Sequence, residues 1–222
     1  MSTGVWLEEL TWPEAKARFD GDAVVVIPIG AASKAHGAHL PLKTDGLTAR
    51  ALAQKLIERL PVVAAPVVGF GYYPAFTSFA GSQHLTSDTF KAVMRELIAS
   101  FTAHGVRRIA LINTGVSTEK PLDEIAAETG ALALHMRLTG QAAESLIEHK
   151  EGGHADERET SVVLALDPRS VRMDRLAPAA DFKVSAATGD PTRASAFKGE
   201  RLLAARIDDM VEALVRKWPD LR

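Results

Sequence analysis

The segment DAVVVIPIGAASKAHGAHLPLKTDG, residues 22–46, joins a continuous apolar run to a loop that carries lysine, histidine and aspartate side chains. The run from Asp22 to Gly30 is typical of a strand that is covered on both faces, as strands of parallel sheets are. Residues 47–60 then place leucine and alanine at helical spacing, and Pro61 ends that helix. A strand, a loop and a helix in this order predict the first unit of an α/β fold.

The same alternation continues along the chain. Apolar runs predict further strands at 62–68, 107–113 and 131–136, and helical spacing predicts helices at about 12–19, 86–104, 121–129, 141–149, 156–166 and 200–218. These units predict a mostly parallel central sheet with helices on both faces. Because ligands of such sheets bind beyond the carboxyl ends of the strands, we expect the loops at 30–46, 69–86 and 113–121 to lie together at one edge.

Composition narrows the class of protein. The length of 222 residues favours one domain over 1–222, with 46% hydrophobic and 24% charged residues. A net charge of −2 without a lysine or arginine cluster argues against a nucleic-acid partner. The chain has no cysteine, so a metal would be held by histidine, aspartate and glutamate, which suits Zn²⁺, Mn²⁺ or Fe²⁺.

Location is predicted from two further features of the sequence. The first residues, MSTGVWLEEL, lack the basic segment and apolar core of a signal peptide. No apolar run approaches the roughly 18–20 residues that a membrane span needs. We therefore expect a cytoplasmic protein without a membrane partner.

The first candidate site is the loop after the first strand. His36, His39 and Asp45 lie within ten residues and could supply ligands to a metal that keeps one position open for water. A purely structural interpretation is equally simple: His39 supports a turn, Asp45 caps the next helix, and His36 packs against an aromatic ring. Spacing alone leaves both interpretations open.

The second candidate site is the segment GGHADERETS, residues 152–161. Glu159 shares its helical face with Val162 and Val163, which predicts a carboxylate on a buried face that needs a partner. Two glycines before His154 would let that ring project into a cleft. Alternatively, the acids complement the helix dipole and face solvent.

Several segments also match a known family. They are Pro28–Gly30, His36–Asp45 (HGAHLPLKTD), Phe79–Ser82, His154–Ser161 (HADERETS), and Gly189–Thr192 continuing to Lys198-Gly199. In order and content they resemble the creatininase (creatinine amidohydrolase) family over nearly the whole chain. The resemblance implies a three-layer α/β/α sandwich, a homo-oligomer that is often a hexamer, and a two-metal hydrolase that cleaves C–N bonds of small cyclic amides.

The resemblance also assigns roles to individual residues. His36 and Asp45 match metal ligands, Asp45 being the bridging carboxylate, while His154 and Glu159 match the catalytic histidine and glutamate. Six residues are predicted to contact the small-molecule substrate: Lys34, Tyr72, Tyr73, Gly81, Ser82 and His84. The glycine- and aromatic-rich loop that supplies most of them would form a partly apolar lid.

Two positions depart from the family pattern. Lys34 stands where the family usually has a glutamate, and the segment NTGVST, residues 113–118, lacks the usual ligand histidine. His36, Asp45 and Glu159 could still hold one divalent ion. Alternatively, the Lys34 ammonium takes the place of the lost ion and pairs with Asp45 or Glu159, leaving one ion or none.

The sequence therefore favours a metal-dependent hydrolase of an amide C–N bond in a small, cyclic or related substrate. The alternative is a catalytically inactive family member that acts as a small-molecule-binding or assembly subunit. Retention of His36, Asp45, His154 and Glu159 favours the enzyme, whereas the missing ligands favour the alternative.

Overall fold

A five-stranded parallel sheet forms the centre of the computed structural model, which describes residues 4–221. Its order is β1-β3-β2-β4-β5. The strands are β1 (Val5–Trp6), β2 (Val24–Ile29), β3 (Val63–Ala64), β4 (Arg108–Asn113) and β5 (Leu132–His135). Each neighbouring pair is parallel, and every residue of β2 is buried, as its apolar run predicts.

Helices and a small ribbon complete the architecture. The helices are α1 (Trp12–Asp20), α2 (Thr44–Arg59), α3 (Ser87–Ala103), α4 (Glu119–Thr129), α5 (Glu157–Leu166), α6 (Phe182–Ser185) and α7 (Ala196–Lys217). An antiparallel ribbon pairs β6 (Gly152–His154) with β7 (Thr188–Gly189). Short 3₁₀ turns occupy Leu7–Glu9, Pro74–Phe76, Met136–Leu138, Gln141–Leu146, Pro168–Ser170, Met173–Arg175 and Pro219–Leu221.

The two faces of β2 contact different helical layers. Val24 and Val26 lie in an apolar cluster with residues of α2 and α7. Val25, Ile27 and Ile29 lie in a second cluster with residues of α3 and α4. Because successive side chains of a strand point to opposite faces, this alternation builds the predicted α/β/α sandwich.

Two predicted elements differ in the structure. The strand predicted at 62–68 ends at Ala64, since Pro66 has no N–H to donate to a ladder, and Val68 rejoins β2 through one bridge to Ile29. The helix predicted at 141–149 is a 3₁₀ turn that ends at Leu146. The next N–H groups, of Glu148 and His149, donate to the Glu157 carboxylate instead of continuing a helix.

The loops after β2, β3 and β4 meet at one edge of the sheet, as predicted. The N–H of Ala32 donates to the Gly69 carbonyl at 2.8 Å, and Thr114 Oγ1 donates to the Asp45 carbonyl at 3.3 Å. His154 reaches the same edge, since its Nε2 lies 2.9 Å from the Ala35 carbonyl oxygen. Among the helices of residues 4–221, none is both long and apolar enough to cross a membrane.

A close approach of α7 to α5 sets where α5 lies. A Cβ added at Gly199 would overlap the Ser161 carbonyl oxygen and come within 2.9 Å of Ala165 Cβ. Glycine at this position therefore lets the two helices touch through their backbones. This contact places the first turn of α5, which carries Glu159, beside the sheet edge.

We expect Gly199→Ala to lower the free energy of unfolding by about 1–3 kcal/mol, because the added methyl group forces α5 and α7 apart. Urea denaturation measures the change. Gly21→Ala is the matched control, since its Cβ would meet the nearest carbonyl oxygens at an ordinary 3.4 Å. Equal stability of the two variants would contradict the packing argument.

Candidate functional site

A buried ion pair lies at the centre of the sheet edge. Lys34 Nζ is 2.6 Å from Asp45 Oδ2, and the two residues are 5% and 2% exposed. The ammonium also lies 4.9 Å from the centroid of the Phe76 ring and 5.4 Å from that of Tyr73. Positive charge over aromatic faces is favourable, so carboxylate and rings together hold Lys34 in place.

Asp45 belongs to the first turn of α2 but does not cap it. Lys43 precedes the helix and no side chain makes a cap there, so the capping interpretation of Asp45 is wrong. Its carboxylate turns inward to Lys34 and to His36, whose Nε2 lies 3.0 Å from Oδ1. Burial alone would raise the pKa of Asp45, but the neighbouring Lys34 and His36 hold it below its usual range. Asp45 is therefore an ionised carboxylate whose Oδ2 is in an ion pair with Lys34 but makes no hydrogen bond of standard geometry within residues 4–221.

His36 is completely buried and its two ring nitrogens face different groups. Nδ1 lies 2.8 Å from the Lys34 carbonyl oxygen, which can only accept, so this nitrogen carries a proton. Nε2 is the nitrogen that faces Asp45. The ring also stacks at 4.5 Å against the ring of His154, an arrangement that brings both candidate sites together.

His154 stands at the end of β6 and has one uncommitted ring nitrogen. Its Nε2 donates to the Ala35 carbonyl, which leaves Nδ1 as a lone pair 3.6 Å from Glu159 Oε2. Burial first, and then the charges of His36 and Lys34, lower the pKa of His154 well below its usual value. The ring is therefore neutral near pH 7, which is the form that binds metals.

Glu159 is turned inward by the start of α5. Asp156 caps the helix by accepting the N–H groups of Arg158 and Glu159, which fixes the direction of the first turn. Glu159 Oε2 accepts the Ala155 N–H at 2.6 Å, and burial raises the pKa of this carboxyl. The interpretation that Glu159 faces solvent is wrong, because only 15% of its side chain is exposed.

Three of the predicted residues converge. His36, His154 and Glu159 each offer one ligand atom, and these atoms lie within 4.8 Å of one another. Two imidazole nitrogens and a carboxylate form a donor set suited to Zn²⁺, Mn²⁺ or Fe²⁺. Asp45, predicted as a ligand, does not belong to this trio, since its two oxygens face His36 and Lys34.

The predicted substrate contacts fall into two groups. Ser82 Oγ accepts the Ala35 N–H at 3.0 Å and the Gly81 carbonyl accepts from Ser33, so both hold the loop at 30–46 in place. Tyr72, Tyr73 and His84 lie in the aromatic loop. Tyr73 is buried, its N–H donates to His84 Nδ1, and the His84 ring lies 5.7 Å from that of Tyr72. Lys34 and Tyr73 are thus beside the ion pair, whereas Tyr72 and His84 contact each other.

Sequence reasoning missed the aromatic side chain that completes the wall around His154. Phe182 of α6 packs at 5.5 Å against Phe76, whose ring lies 4.7 Å from that of His154. Phe182 comes from the irregular region 167–199, where no periodicity marks a residue as inward-facing. One of the two phenylalanines in this region, which contains three prolines, was the available signal.

His39 is a buried support of the second site. Its Nε2 lies 2.8 Å from Thr160 Oγ1, next to Glu159 in the chain. Burial, and secondarily the charge of His36, lower the pKa of His39 to about 4. The structural interpretation of this histidine therefore agrees with its contacts.

Comparison with known proteins identifies the family. The sequence model described as creatinine amidohydrolase matches residues 8–214. The chain belongs to the creatininase family. Among solved structures, a creatininase variant in a Zn–Zn form superimposes with a TM-score of 0.84 at 26% identity, over 98% of this chain and 100% of that one.

Two curated relatives illustrate the range of creatininase-family activities. Creatinine amidohydrolase of Pseudomonas putida is 33% identical over 119 residues, 51% of this chain and 45% of that protein, so less than half of its length is matched. Mycofactocin precursor peptide peptidase of Mycobacterium tuberculosis is 31% identical over 224 residues, 88% of this chain and 86% of that protein. The family assignment therefore leaves the substrate open.

We expect Lys34→Met to lower the free energy of unfolding by about 3–5 kcal/mol, because it leaves the buried Asp45 carboxylate without a counter-charge. Adding Asp45→Asn should recover part of that loss, and urea denaturation of the four proteins gives the coupling energy. Lys16→Met breaks an exposed pair with Asp20 and is the control. Similar stability losses in Lys16→Met and Lys34→Met would refute the buried pair's role.

The stability of this protein should fall as the pH drops from 6.5 to about 4. Over that range the unfolded chain protonates His39 while the folded chain keeps it neutral, so protons favour unfolding by about 1–2 kcal/mol. His39→Gln, which keeps a polar group near Thr160 but does not titrate, should show a shallower decline. Parallel declines of ΔG with pH would show that His39 contributes nothing.

Proposed function

We propose that this creatininase-family chain hydrolyses an amide C–N bond with one divalent ion held by His36, His154 and Glu159. The observation that carries the proposal is the convergence of three ligand atoms within 4.8 Å. The proposal thus replaces Asp45 by His154 in the ligand set expected from the sequence. It keeps the predicted small-molecule substrate and the predicted reaction class.

The acceptor atoms of His154 and Glu159 fit a cation. His154 Nδ1 and the ionised form of Glu159 Oε2 are both acceptors, and the two atoms face each other at 3.6 Å. A positive ion between them would satisfy both lone pairs and would offset the burial that raises the pKa of Glu159. A divalent ion at the trio would polarise the amide carbonyl and lower the pKa of a bound water.

Lys34 supplies a fixed ammonium group beside the trio that needs no metal, although Asp45 offsets its charge. Asp45 keeps the Lys34 ammonium charged and in place at 2.6 Å, within the aromatic wall. A fixed cation in a water-poor site stabilises negative charge that develops on the carbonyl oxygen during attack. Asp45 Oδ1 and the Lys34 carbonyl hold the His36 ring through its two nitrogens, so binding of an ion by His36 would require the ring to give up its contact with Asp45.

His154 can fill one of two roles. Its single free nitrogen, Nδ1, either binds the ion or gives a proton to the leaving nitrogen, which is the role that the family resemblance implies. The distance to Glu159 and the neutral ring favour the ligand role. Metal content of a His154 variant separates the two roles.

The activities of the two relatives indicate a class of substrates for this chain but no individual compound. One relative is a creatinine amidohydrolase and another a precursor peptide peptidase, so we propose small amides and short peptides as the substrates to test. The homo-oligomer, the hexamer and the cytoplasmic location expected from the sequence stay predictions.

A second candidate function is small-molecule binding without catalysis. The Lys34–Asp45 pair favours it, because an ammonium that already neutralises the carboxylate reduces the need for a metal ion. In this case the protein would bind ligands in the same site but would neither retain metal nor hydrolyse amides.

Metal analysis tests the proposed function. After removal of metal with a chelator and dialysis against Mn²⁺ or Zn²⁺, we expect one equivalent of ion in the wild-type protein. His36→Ala, His154→Ala and Glu159→Gln should each lower that content at least tenfold, because three-ligand sites lose affinity steeply with one ligand. His104→Ala, which removes an exposed imidazole, is the matched control.

Hydrolysis of an amide and peptide panel accompanies the metal measurement. Activity that follows metal content across the variants supports the single-ion hydrolase. A His154→Ala protein that keeps its ion but loses activity would move His154 from ligand to proton donor. Wild-type protein that retains no ion and hydrolyses nothing would refute the single-ion hydrolase, and calorimetric binding of the same amides would then support the binding function.

A further inference from the structure

A cavity next to the trio of His36, His154 and Glu159 shares Glu159 with it. It has a volume of about 300 Å³ and is bordered by the start of α5, by the β6 glycines and by α7. Glu159 lines this cavity as well as belonging to the trio. The charged residues around it are Arg137, Glu144, Lys150, Asp156, Arg158, Glu159 and Arg206.

Arg206 is the unusual member of this lining. It is 5% exposed, and within residues 4–221 its Nε has no hydrogen-bond partner. The acidic residues that line the cavity bond to other groups. Glu144 and Asp156 form ion pairs with Arg158, and Glu159 accepts a hydrogen bond from the Ala155 N–H. Arg206 Nε is therefore a buried donor without a hydrogen-bond partner within residues 4–221, and the charges of Glu144, Glu159 and Asp156 favour its guanidinium without bonding to that atom.

The local backbone is shaped around the Arg206 side chain. Gly140 adopts a left-handed conformation with φ +81, and a Cβ there would come within 2.7 Å of Arg206 Cγ. A buried N–H without a hydrogen-bond partner, as at Arg206 Nε, is unfavourable for folding, and burial lowers the pKa of Arg206 from its usual value. A functional residue can lower the stability of the free protein, and we expect the unpartnered N–H of such a residue to bond to a ligand.

We propose that Arg206 binds a carboxylate group of the substrate in this cavity and so holds the scissile amide toward Glu159. The inference rests on the proposed amide hydrolysis for the direction in which the substrate lies. A guanidinium offers parallel N–H donors that match the two oxygens of a carboxylate. Three acids also line the cavity, so a monoanion suits it better than a dianionic phosphate. The substrate class is then a peptide or an acylated amino acid with a free carboxylate.

Binding measurements test this subsite without requiring catalysis. Chelator-treated protein is titrated calorimetrically with a panel of N-acetyl dipeptides, each as the free acid and as the C-terminal amide. We expect the wild-type protein to prefer the acid by about ten- to a hundred-fold, the usual value of a charge-assisted hydrogen bond. Arg206→Met should abolish that preference, and Arg206→Lys should keep part of it.

Thermal unfolding separates a binding role from a structural one. Because Arg206→Met removes a buried side chain whose Nε–H has no hydrogen-bond partner within residues 4–221, its melting temperature should equal or exceed that of the wild-type protein. Arg216→Met, an exposed arginine of the same helix, is the control and should leave the acid preference unchanged. Lower melting temperatures in both Arg206 variants, with an unchanged acid preference, would overturn the proposal.

The two proposals fail in different ways. Equal affinity of the wild-type protein for acids and amides, or competition by acetate as strong as by the dipeptide acids, would refute a substrate carboxylate subsite. Acid preference that depends on Arg206 in a protein that hydrolyses no amide would leave the subsite standing while the hydrolase proposal fails. Hydrolysis of the acids and the amides at equal rates would support the hydrolase proposal and refute the carboxylate subsite.

Discussion

The buried pair between Lys34 and Asp45 is the interaction on which the rest of this site depends. Two opposite charges that are almost completely removed from water persist only when they meet each other, and here they meet at 2.6 Å. Lys34 lies in the loop after β2, and Asp45 lies in the first turn of α2. The pair therefore fastens that loop to the helix and fixes the direction in which the intervening His36 ring points.

The remaining charges arrange themselves around this pair. Burial, and then the charges of His36 and Lys34, lower the pKa of His154, which leaves a neutral imidazole beside Glu159. One side of the site thus carries its own cation, and the other side offers ligand atoms to a cation from solution. A creatininase variant solved in a Zn–Zn form shares this fold, and in this chain the Lys34 ammonium lies over the Phe76 ring, which also packs against His154.

Local sequence was sufficient where one element's own pattern decided the outcome. The bounds of β2 and of helices α2, α3 and α7 were predicted to within a few residues. Burial of one or both faces of an element determines the spacing of its apolar residues, which can be read from the sequence. Prediction failed where a distant group intervened, as when the Glu157 carboxylate captures the N–H groups of Glu148 and His149. β3 is shorter than predicted because Pro66, which lies within the apolar run, has no N–H to donate to the neighbouring strand.

The sequence by itself determined the family, the layered α/β class and four chemically able residues: His36, Asp45, His154 and Glu159. Only the tertiary structure decided that Asp45 pairs with Lys34 and that His154 joins His36 and Glu159. It alone showed that Arg206 is buried without a partner for Nε among the described residues. The physical reason is chain distance: His154 meets Ala35 across 119 residues, and no periodicity or spacing encodes a contact of that range.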